Sequence, residues 1–192
     1  KCVLEAGTDE AGRGCLAGPV TAAAVILPDG FTHPFLTDSK KLSALKREKL
    51  AAMIRKTAVA YGIAHVPPEI IDDINILNAS IMAMHQALDK LHIQPEAIAV
   101  DGNRFKPYKA IPHECLIRGD GRFLNIAAAS ILAKTSRDSL MRELHEVYPE
   151  YQWTKNKGYP TQAHRHALLK YGPSPYHRKS FRLKEEQLKF NY

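Results

Sequence analysis

The sequence predicts an α/β domain in which helices cover a mixed β-sheet. Strand-length apolar segments follow one another early in the chain, at residues 2–9, 21–27 and 58–66. Two more strand segments, at 97–100 and 114–117, alternate with helical segments. Early neighbouring strands followed by alternating helix and strand units are typical of a mixed sheet with helices packed on its faces.

The predicted helices are identified by their spacing and their caps. Ser43 is a suitable N-cap for a helix that reaches about Lys56, and a long helix is expected from Asn125 to about Val147. Steps of four and three residues between apolar side chains indicate another helix, which contains Leu77, Ile81, Met84, Leu88 and Leu91.

The chain is expected to divide near residue 150. Pro149 and the segment 158–160 (GYP) interrupt it, and we then expect a helix near 161–171, a stop at 172–173 and a short final helix. We therefore predict an α/β domain over 1–150 and a basic helical C-terminal segment over 151–192. The length of 192 residues suits one such domain with an appendage.

The positive charge is concentrated in the C-terminal segment. The net charge is +7, and residues 151–192 hold nine basic and two acidic side chains, which accounts for all of it. Aromatic residues are interleaved with the basic ones, a composition that suits a polyanion with bases or sugars to stack on. The alternative is a basic helix that is merely solvated.

Composition excludes several classes of protein. No segment has the roughly 20 apolar residues that a membrane-spanning helix needs, so we expect no membrane association. The three cysteines are odd in number and show no CxxC spacing, which favours a reduced cytoplasm over disulfides or a zinc site. A zinc hydrolase is disfavoured as well, because His164 and His166 do not share a helix face.

Four carboxylates lie at or just after predicted strands: Asp9, Glu10, Asp101 and Asp120. Strands of one sheet can bring such ends together, where the carboxylates repel one another unless a cation neutralises them. Oxygen ligands without a His or Cys cluster select Mg²⁺ or Mn²⁺, and two such ions about 3.5–4 Å apart can clamp a phosphodiester for attack by water. The alternative is that these acids only form turns and caps.

A glycine-rich segment follows the first two acids. It is a near-miss to a phosphate-binding P-loop, with Arg13 and Gly14 where Lys and Ser or Thr are required, and we reject that interpretation. A dinucleotide fingerprint is rejected because a strand, not a helix, follows it. The remaining interpretation is that Gly12, Arg13 and Gly14 bring backbone close to a sugar-phosphate, where it can bond a ribose 2′-hydroxyl.

The long helix carries polar residues on one face. Ser130, Lys134 and Asp138 are spaced four apart, so they share that face. They form either a surface Lys–Asp pair or a patch in which Ser130 and Lys134 face phosphate and Asp138 lies near the acids.

Several motifs in order resemble those of bacterial ribonuclease HII, over nearly the whole chain. They are DEAGRG at 9–14 with LAGPV at 16–20, TDSKKLS at 37–43, VDGN at 100–103, RGD at 118–120, AAASILAKTSRD at 127–138, KGYPT with His164 at 157–164, and HRKSF at 177–181. The resemblance implies a ribonuclease H-like fold with a five-stranded mixed sheet, flanking helices and a helical C-terminal appendage that binds substrate.

The resemblance also implies an activity. Family members cleave the RNA strand of RNA–DNA hybrids and cut at ribonucleotides embedded in duplex DNA, leaving 3′-hydroxyl and 5′-phosphate ends. We therefore expect Mn²⁺ or Mg²⁺ as cofactor, a hybrid or ribonucleotide-containing duplex as the partner, and a cytoplasmic monomer. Protein partners are not predicted.

Site residues are carried over by position. The catalytic and metal-binding carboxylates fall on Asp9, Glu10, Asp101 and Asp120. The ribose-sensing loop falls on Gly12, Arg13 and Gly14, and the tyrosine that packs on the sugar falls on Tyr159. Further substrate-facing positions match Ser39, Lys40, Ser130 and Lys134, with Asn103 and Asp138 near the site.

Two features separate the chain from relatives. Cys15 stands where many bacterial members have Pro, which changes the stiffness of the loop. Asp9 is only nine residues into the sequence, which leaves no room for the extra N-terminal domain of type III enzymes, so we expect type II.

The rival hypotheses are a non-catalytic nucleic-acid-binding module and a resolvase-like nuclease on the same fold.

Overall fold

The computed structural model describes residues 3–36 and 42–181. Within them a five-stranded mixed sheet has the strand order β3-β2-β1-β4-β5. β1 pairs antiparallel with β2, and β2 with β3, whereas β1–β4 and β4–β5 are parallel. The strands are β1 (Glu5–Ala11), β2 (Val20–Ile26), β3 (Ala60–Val66), β4 (Ala97–Asp101) and β5 (His113–Leu116). The predicted mixed sheet is confirmed.

In the described residues, five α-helices accompany the sheet: α1 (Ala44–Thr57), α2 (Pro68–Asp89), α3 (Leu124–Val147), the single turn α4 (Trp153–Asn156) and α5 (Gln162–Tyr171). Ser43 is the N-cap of α1 as predicted, and its hydroxyl accepts from the Lys46 N–H. α2 has a kink at Asn75, where φ is 65°. In the described part of the chain, no helix is both long and apolar enough to span a membrane.

The sheet is buried on both faces. Alternate residues of β2 point to opposite sides: Ala22, Ala24 and Ile26 pack towards α2, while Ala23 and Val25 pack towards α1 and α3. α3 approaches β1 very closely at Gly7, where a Cβ atom would lie 2.2 Å from the backbone of α3. The result is a three-layer arrangement in which α3 lies directly over β1.

The described part of the C-terminal segment packs on the end of α3 and differs from the expectation. Tyr151 and Trp153 are buried with Met141 and Leu144, so these two aromatic rings form core and cannot stack on bases. α5 matches the helix expected near 161–171. Residues 173–181 form turns and a bridge from His177 to Ala17, and the rest of the span in which a short final helix is expected, 182–192, lies outside the described residues. The division of the chain near residue 150 stays a prediction.

Candidate active site

Two of the predicted carboxylates are brought together by the register of the central strands. β1 and β4 are parallel, and Thr8 pairs with Val100, so Asp9 and Asp101 occupy the next position on each strand. Because side chains alternate along a strand, both lie on the face opposite Val100, whose side chain packs towards α2. The sheet therefore places Asp9 and Asp101 side by side beneath α3.

The electrostatics of Asp9 reflect this position. Burial raises its pKa well above the usual range, and repulsion from Glu10 and Asp101 raises the pKa further. The Ser130 hydroxyl on α3 hydrogen-bonds the Asp9 carboxylate, and the Glu10 N–H donates to Asp9 Oδ1 at 2.7 Å. Both hydrogen bonds favour the ionised form, as a nearby cation would.

Glu10 is the second acidic residue of β1. Burial raises its pKa, Arg13 opposes that shift, and Asp101 adds to it. The Arg13 guanidinium lies 3.1 Å from Glu10 Oε1. One carboxylate of the cluster is thus partly neutralised by the adjacent glycine-rich loop.

Asp120 directly follows Gly119, whose backbone contacts Asp101. It is buried in a 3₁₀ turn (Gly119–Gly121), and the Gly119 N–H donates to Asp101 Oδ1 at 2.7 Å. Asp120 was predicted at or just after a strand; β5 ends at Leu116, and the turn covers the intervening distance.

The donor set suits a hard divalent cation. In residues 3–36 and 42–181, no three His, Cys, Asp or Glu side chains are grouped so that they could hold a metal ion. The interacting acids nevertheless offer only oxygen, which matches Mg²⁺ or Mn²⁺, and their mutual repulsion is what such an ion would relieve. The assignment of these acids as metal ligands stays a prediction.

A cavity of about 300 Å³ adjoins the acids, and most of the predicted substrate residues line it. Glu10 lies at its edge with the glycine-rich loop, the polar face of α3 and Tyr159. The lining includes Glu10, Gly12, Arg13, Gly14, Ser130, Lys134, Arg137, Asp138 and Tyr159.

The polar face of α3 contains a Lys–Asp ion pair and also borders the cavity. Lys134 Nζ lies 3.3 Å from Asp138 Oδ2, which is the expected Lys–Asp pair. Both residues also line the cavity. Ser130 lines the cavity as well and, in addition, contacts Asp9. Ser130 therefore connects the cavity with the acids.

The remaining predicted substrate or near-site residues are not among the residues that line the cavity in the described part of the chain. Ser39 and Lys40 lie outside the described residues. Asn103 is exposed two residues beyond Asp101 and does not line the cavity.

Two buried arginines near the cavity were missed by the sequence analysis. Arg137 donates to the carbonyl oxygens of Pro19, Lys157 and Ala17 at 2.8–3.0 Å. Arg178 donates to those of Gly12, Arg13 and Gly18 at 2.7–3.0 Å. Bonds to backbone carbonyls need no particular partner residue, so nothing in the sequence marked these arginines as buried. Each lies within a motif noted above, Arg137 in AAASILAKTSRD and Arg178 in HRKSF.

Tyr159 is held by a hydrogen-bonded pair of histidines. His164 Nδ1 lies 2.9 Å from the Tyr159 carbonyl, and His164 Nε2 accepts from Trp153 and lies 3.1 Å from His177 Nε2. Because the Ser174 N–H donates to His177 Nδ1, the His177 proton lies on Nε2 and points at His164. Every ring nitrogen is satisfied only when both rings are neutral.

Cys15 also contacts the tyrosine. Its thiol forms a hydrogen bond with the Tyr159 side chain and lies 3.6 Å from the Lys157 carbonyl. The position that departs from the family pattern is thus in contact with the predicted sugar-packing residue.

Known proteins resemble this chain over nearly its whole length. A family model described as Ribonuclease HII matches residues 6–184. The Ribonuclease HII of Christiangramia forsetii is 61% identical over 190 residues, which cover 99% of this chain and 96% of that protein.

Solved structures show the same fold. The RNase HII of the PCNA:RNase HII complex from Archaeoglobus fulgidus superposes with a TM-score of 0.80 at 26% identity, covering 95% of this chain and 96% of that one. Bst-RNase HIII, solved in complex with Mn²⁺, gives a TM-score of 0.70 at 16% identity, covering 96% of this chain and 68% of that one. The chain belongs to the ribonuclease HII family and is a metal-dependent endoribonuclease that acts on RNA–DNA hybrids.

Proposed function

We propose that the chain cleaves on the 5′ side of ribonucleotides, both in hybrids and singly embedded in duplex DNA, and leaves 3′-hydroxyl and 5′-phosphate ends. The observation that carries this proposal is the register of β1 and β4, which sets Asp9 beside Asp101 next to a cavity lined by the glycine-rich loop. Catalytic oxygen ligands and a ribose-contacting backbone are then adjacent, as cleavage at a ribonucleotide requires.

Each carboxylate has a role in this proposal. Asp9, Glu10 and Asp101 hold Mg²⁺ or Mn²⁺, and Asp120 completes the site from its 3₁₀ turn. When bound, such ions supply the Lewis-acid chemistry that activates water and stabilises the departing 3′-oxygen. Ser130 orients the Asp9 carboxylate through its hydrogen bond.

The cavity positions the ribonucleotide. Gly12, Arg13 and Gly14 approach the 2′-hydroxyl, and Tyr159 packs on the sugar. Lys134 adds positive charge for phosphate on the α3 side of the cavity, with Asp138 fixing its direction. Exposed basic residues of the C-terminal segment contribute phosphate contacts, so binding weakens as salt increases. We expect a cytoplasmic monomer.

The deciding experiment is a cleavage assay on a short DNA duplex that contains one ribonucleotide. We expect a single cut on the 5′ side of the ribonucleotide with Mg²⁺ or Mn²⁺, no cut with a chelator, and no cut in the all-DNA duplex. Separate Mg²⁺ and Mn²⁺ arms identify the preferred ion. Binding without cleavage in either ion would instead support a non-catalytic module, and preferential cleavage of a four-way junction would support a resolvase.

A further inference from the structure

The loop that follows β1 is held from its buried side by one guanidinium group. Arg178 is only 2% exposed. Its Nη1 donates to the Arg13 carbonyl at 2.8 Å, its Nη2 to the Gly12 carbonyl at 2.7 Å, and both Nε and Nη2 to the Gly18 carbonyl. Burial lowers the pKa of Arg178 to about 10, so the group stays charged at neutral pH and keeps all of its donors.

These bonds fix the direction of two peptide groups. In a trans peptide the C=O and the following N–H point in opposite directions. Because the carbonyls of Gly12 and Arg13 point at Arg178, the N–H groups of Arg13 and Gly14 point away from it. Gly12, Arg13 and Gly14 line the cavity, whereas Arg178 does not.

Arg178 is itself anchored at both ends of its short segment. Its own N–H donates to the Leu16 carbonyl at 2.8 Å. Directly after it, the Asp72 carboxylate on α2 accepts from the Lys179 and Ser180 N–H groups at 2.8 and 2.9 Å, and also from the Ser180 hydroxyl. Asp72 thereby limits the movement of the guanidinium relative to the sheet.

We propose that Arg178 is a positioning residue for ribose recognition: its guanidinium turns the Gly12 and Arg13 carbonyls inward so that the N–H groups of Arg13 and Gly14 face the sugar 2′-hydroxyl. This inference rests on the proposed function of the loop. It separates Arg178 from the basic residues that contact phosphate, because Arg178 acts through the backbone and does not touch the substrate.

Arg178→Lys tests the inference because it keeps the charge but cannot reach three carbonyls at once. With Mg²⁺ present, kcat/KM is measured on a duplex with one ribonucleotide, and an uncut all-DNA duplex is used as a competitor to obtain Ki. We expect kcat/KM to fall at least about tenfold, as when one or two ordinary hydrogen bonds are lost from the transition state. Ki for the all-DNA duplex should stay within about twofold, because phosphate contacts are unchanged.

Asp72→Ala is the second variant and remains informative if Arg178→Lys does not fold. Asp72 is partly exposed and does not line the cavity, and its loss removes the hydrogen bonds to Lys179 and Ser180. We expect a smaller fall in kcat/KM, about threefold, again with unchanged Ki. Met84→Ala, which opens the core beneath α2, is the control for lost stability and should leave both constants unchanged at a temperature where it is folded.

Two results would overturn the inference. One is an unchanged kcat/KM in Arg178→Lys or, if that variant does not fold, in Asp72→Ala; the other is an equal loss of affinity for the all-DNA duplex, which would indicate a general structural role. If the parent protein itself does not cut the ribonucleotide duplex, the proposed function fails, and this outcome is distinct from both.

Discussion

The acids and the glycine-rich loop lie side by side, but they are assembled in different ways. Asp9 and Asp101 are brought together by the hydrogen-bonded register of two neighbouring parallel strands. The carbonyls of the loop are bonded by Arg178, which comes from the C-terminal segment more than a hundred residues later. One part of the site is therefore fixed by the sheet, and the other depends on packing between distant parts of the chain.

This difference suggests a division of labour. In the proposed function the strand ends supply the chemistry of metal-dependent phosphodiester cleavage, and the sheet holds them rigidly. In the proposed function the loop supplies the sugar contact, and Arg178, which does not line the cavity, holds the direction of its carbonyls. Changes to the first region should abolish cleavage, whereas changes to the second should alter which substrate is preferred.

The largest expected effect tests the strand ends. Asp101→Asn removes one negative charge but keeps the oxygen that accepts from Gly119. We expect kcat on hybrids to fall about a thousandfold, because the Lewis-acid contribution of a bound ion is several kcal/mol, while hybrid binding is largely retained. Cleavage of embedded ribonucleotides at the parent rate would show that the assignment is wrong. Asp73→Asn, an exposed acid on α2, is the matched control.

The next prediction concerns the histidine pair behind Tyr159. Burial, with a further effect from His164, lowers the pKa of His177 to about 4 from 6.5. The unfolded chain therefore binds a proton at a pH where the folded chain does not. Stability is fully present above pH 6.5 and is lost as pH falls towards 4, by roughly 2–3 kcal/mol.

Denaturant unfolding at several pH values measures this loss. His177→Gln should flatten the decline between pH 6.5 and 4, because the titrating group has been removed. His92→Gln, which changes an exposed histidine, should keep the parent slope. Equal slopes in all three proteins would show that the pair does not stay neutral on folding.

Much of the arrangement of the strand-end acids could be predicted from the sequence, whereas little of the way the glycine-rich loop is positioned could be. The apolar segments before Asp9 and Asp101 identify buried strands, and the ends of parallel strands in one sheet lie at the same edge. The N-cap role of Ser43 could also be predicted, because it depends only on a hydroxyl three residues before an N–H that has no partner within the helix.

The second region follows from long-range packing. The aromatic residues at 151 and 153 read as base-stacking groups because they lie among basic residues, yet they pack against α3. Arg178 read as one more surface charge of the basic segment, yet it is buried among backbone carbonyls. Composition does not show which basic side chains are buried, because every residue offers a backbone carbonyl as a hydrogen-bond acceptor.

A smaller effect is expected at Tyr159, which lines the cavity together with the glycine-rich loop. Tyr159→Ala should lower kcat/KM for a single embedded ribonucleotide about tenfold, in line with the 1–3 kcal/mol of aromatic stacking, and Tyr159→Phe should keep most of it. Tyr171→Ala is the matched control, because Tyr171 is an exposed aromatic on α5 that does not line the cavity. A similar loss in both alanine variants would indicate general stacking by the C-terminal segment.

The smallest effect is expected at Cys15, the thiol that contacts the Tyr159 side chain and the Lys157 carbonyl. Cys15→Ala removes these weak contacts without straining the loop, so we expect about 1 kcal/mol less stability and a change of kcat/KM of about threefold or less. Cys15→Ser keeps a donor and should lie nearer the parent. Thermal unfolding and ribonucleotide cleavage of the three proteins measure both quantities. Because Tyr159 is also held by the histidine pair, a loss in Cys15→Ala as large as that of Tyr159→Ala would mean that the thiol, and not the histidines, sets the tyrosine's position.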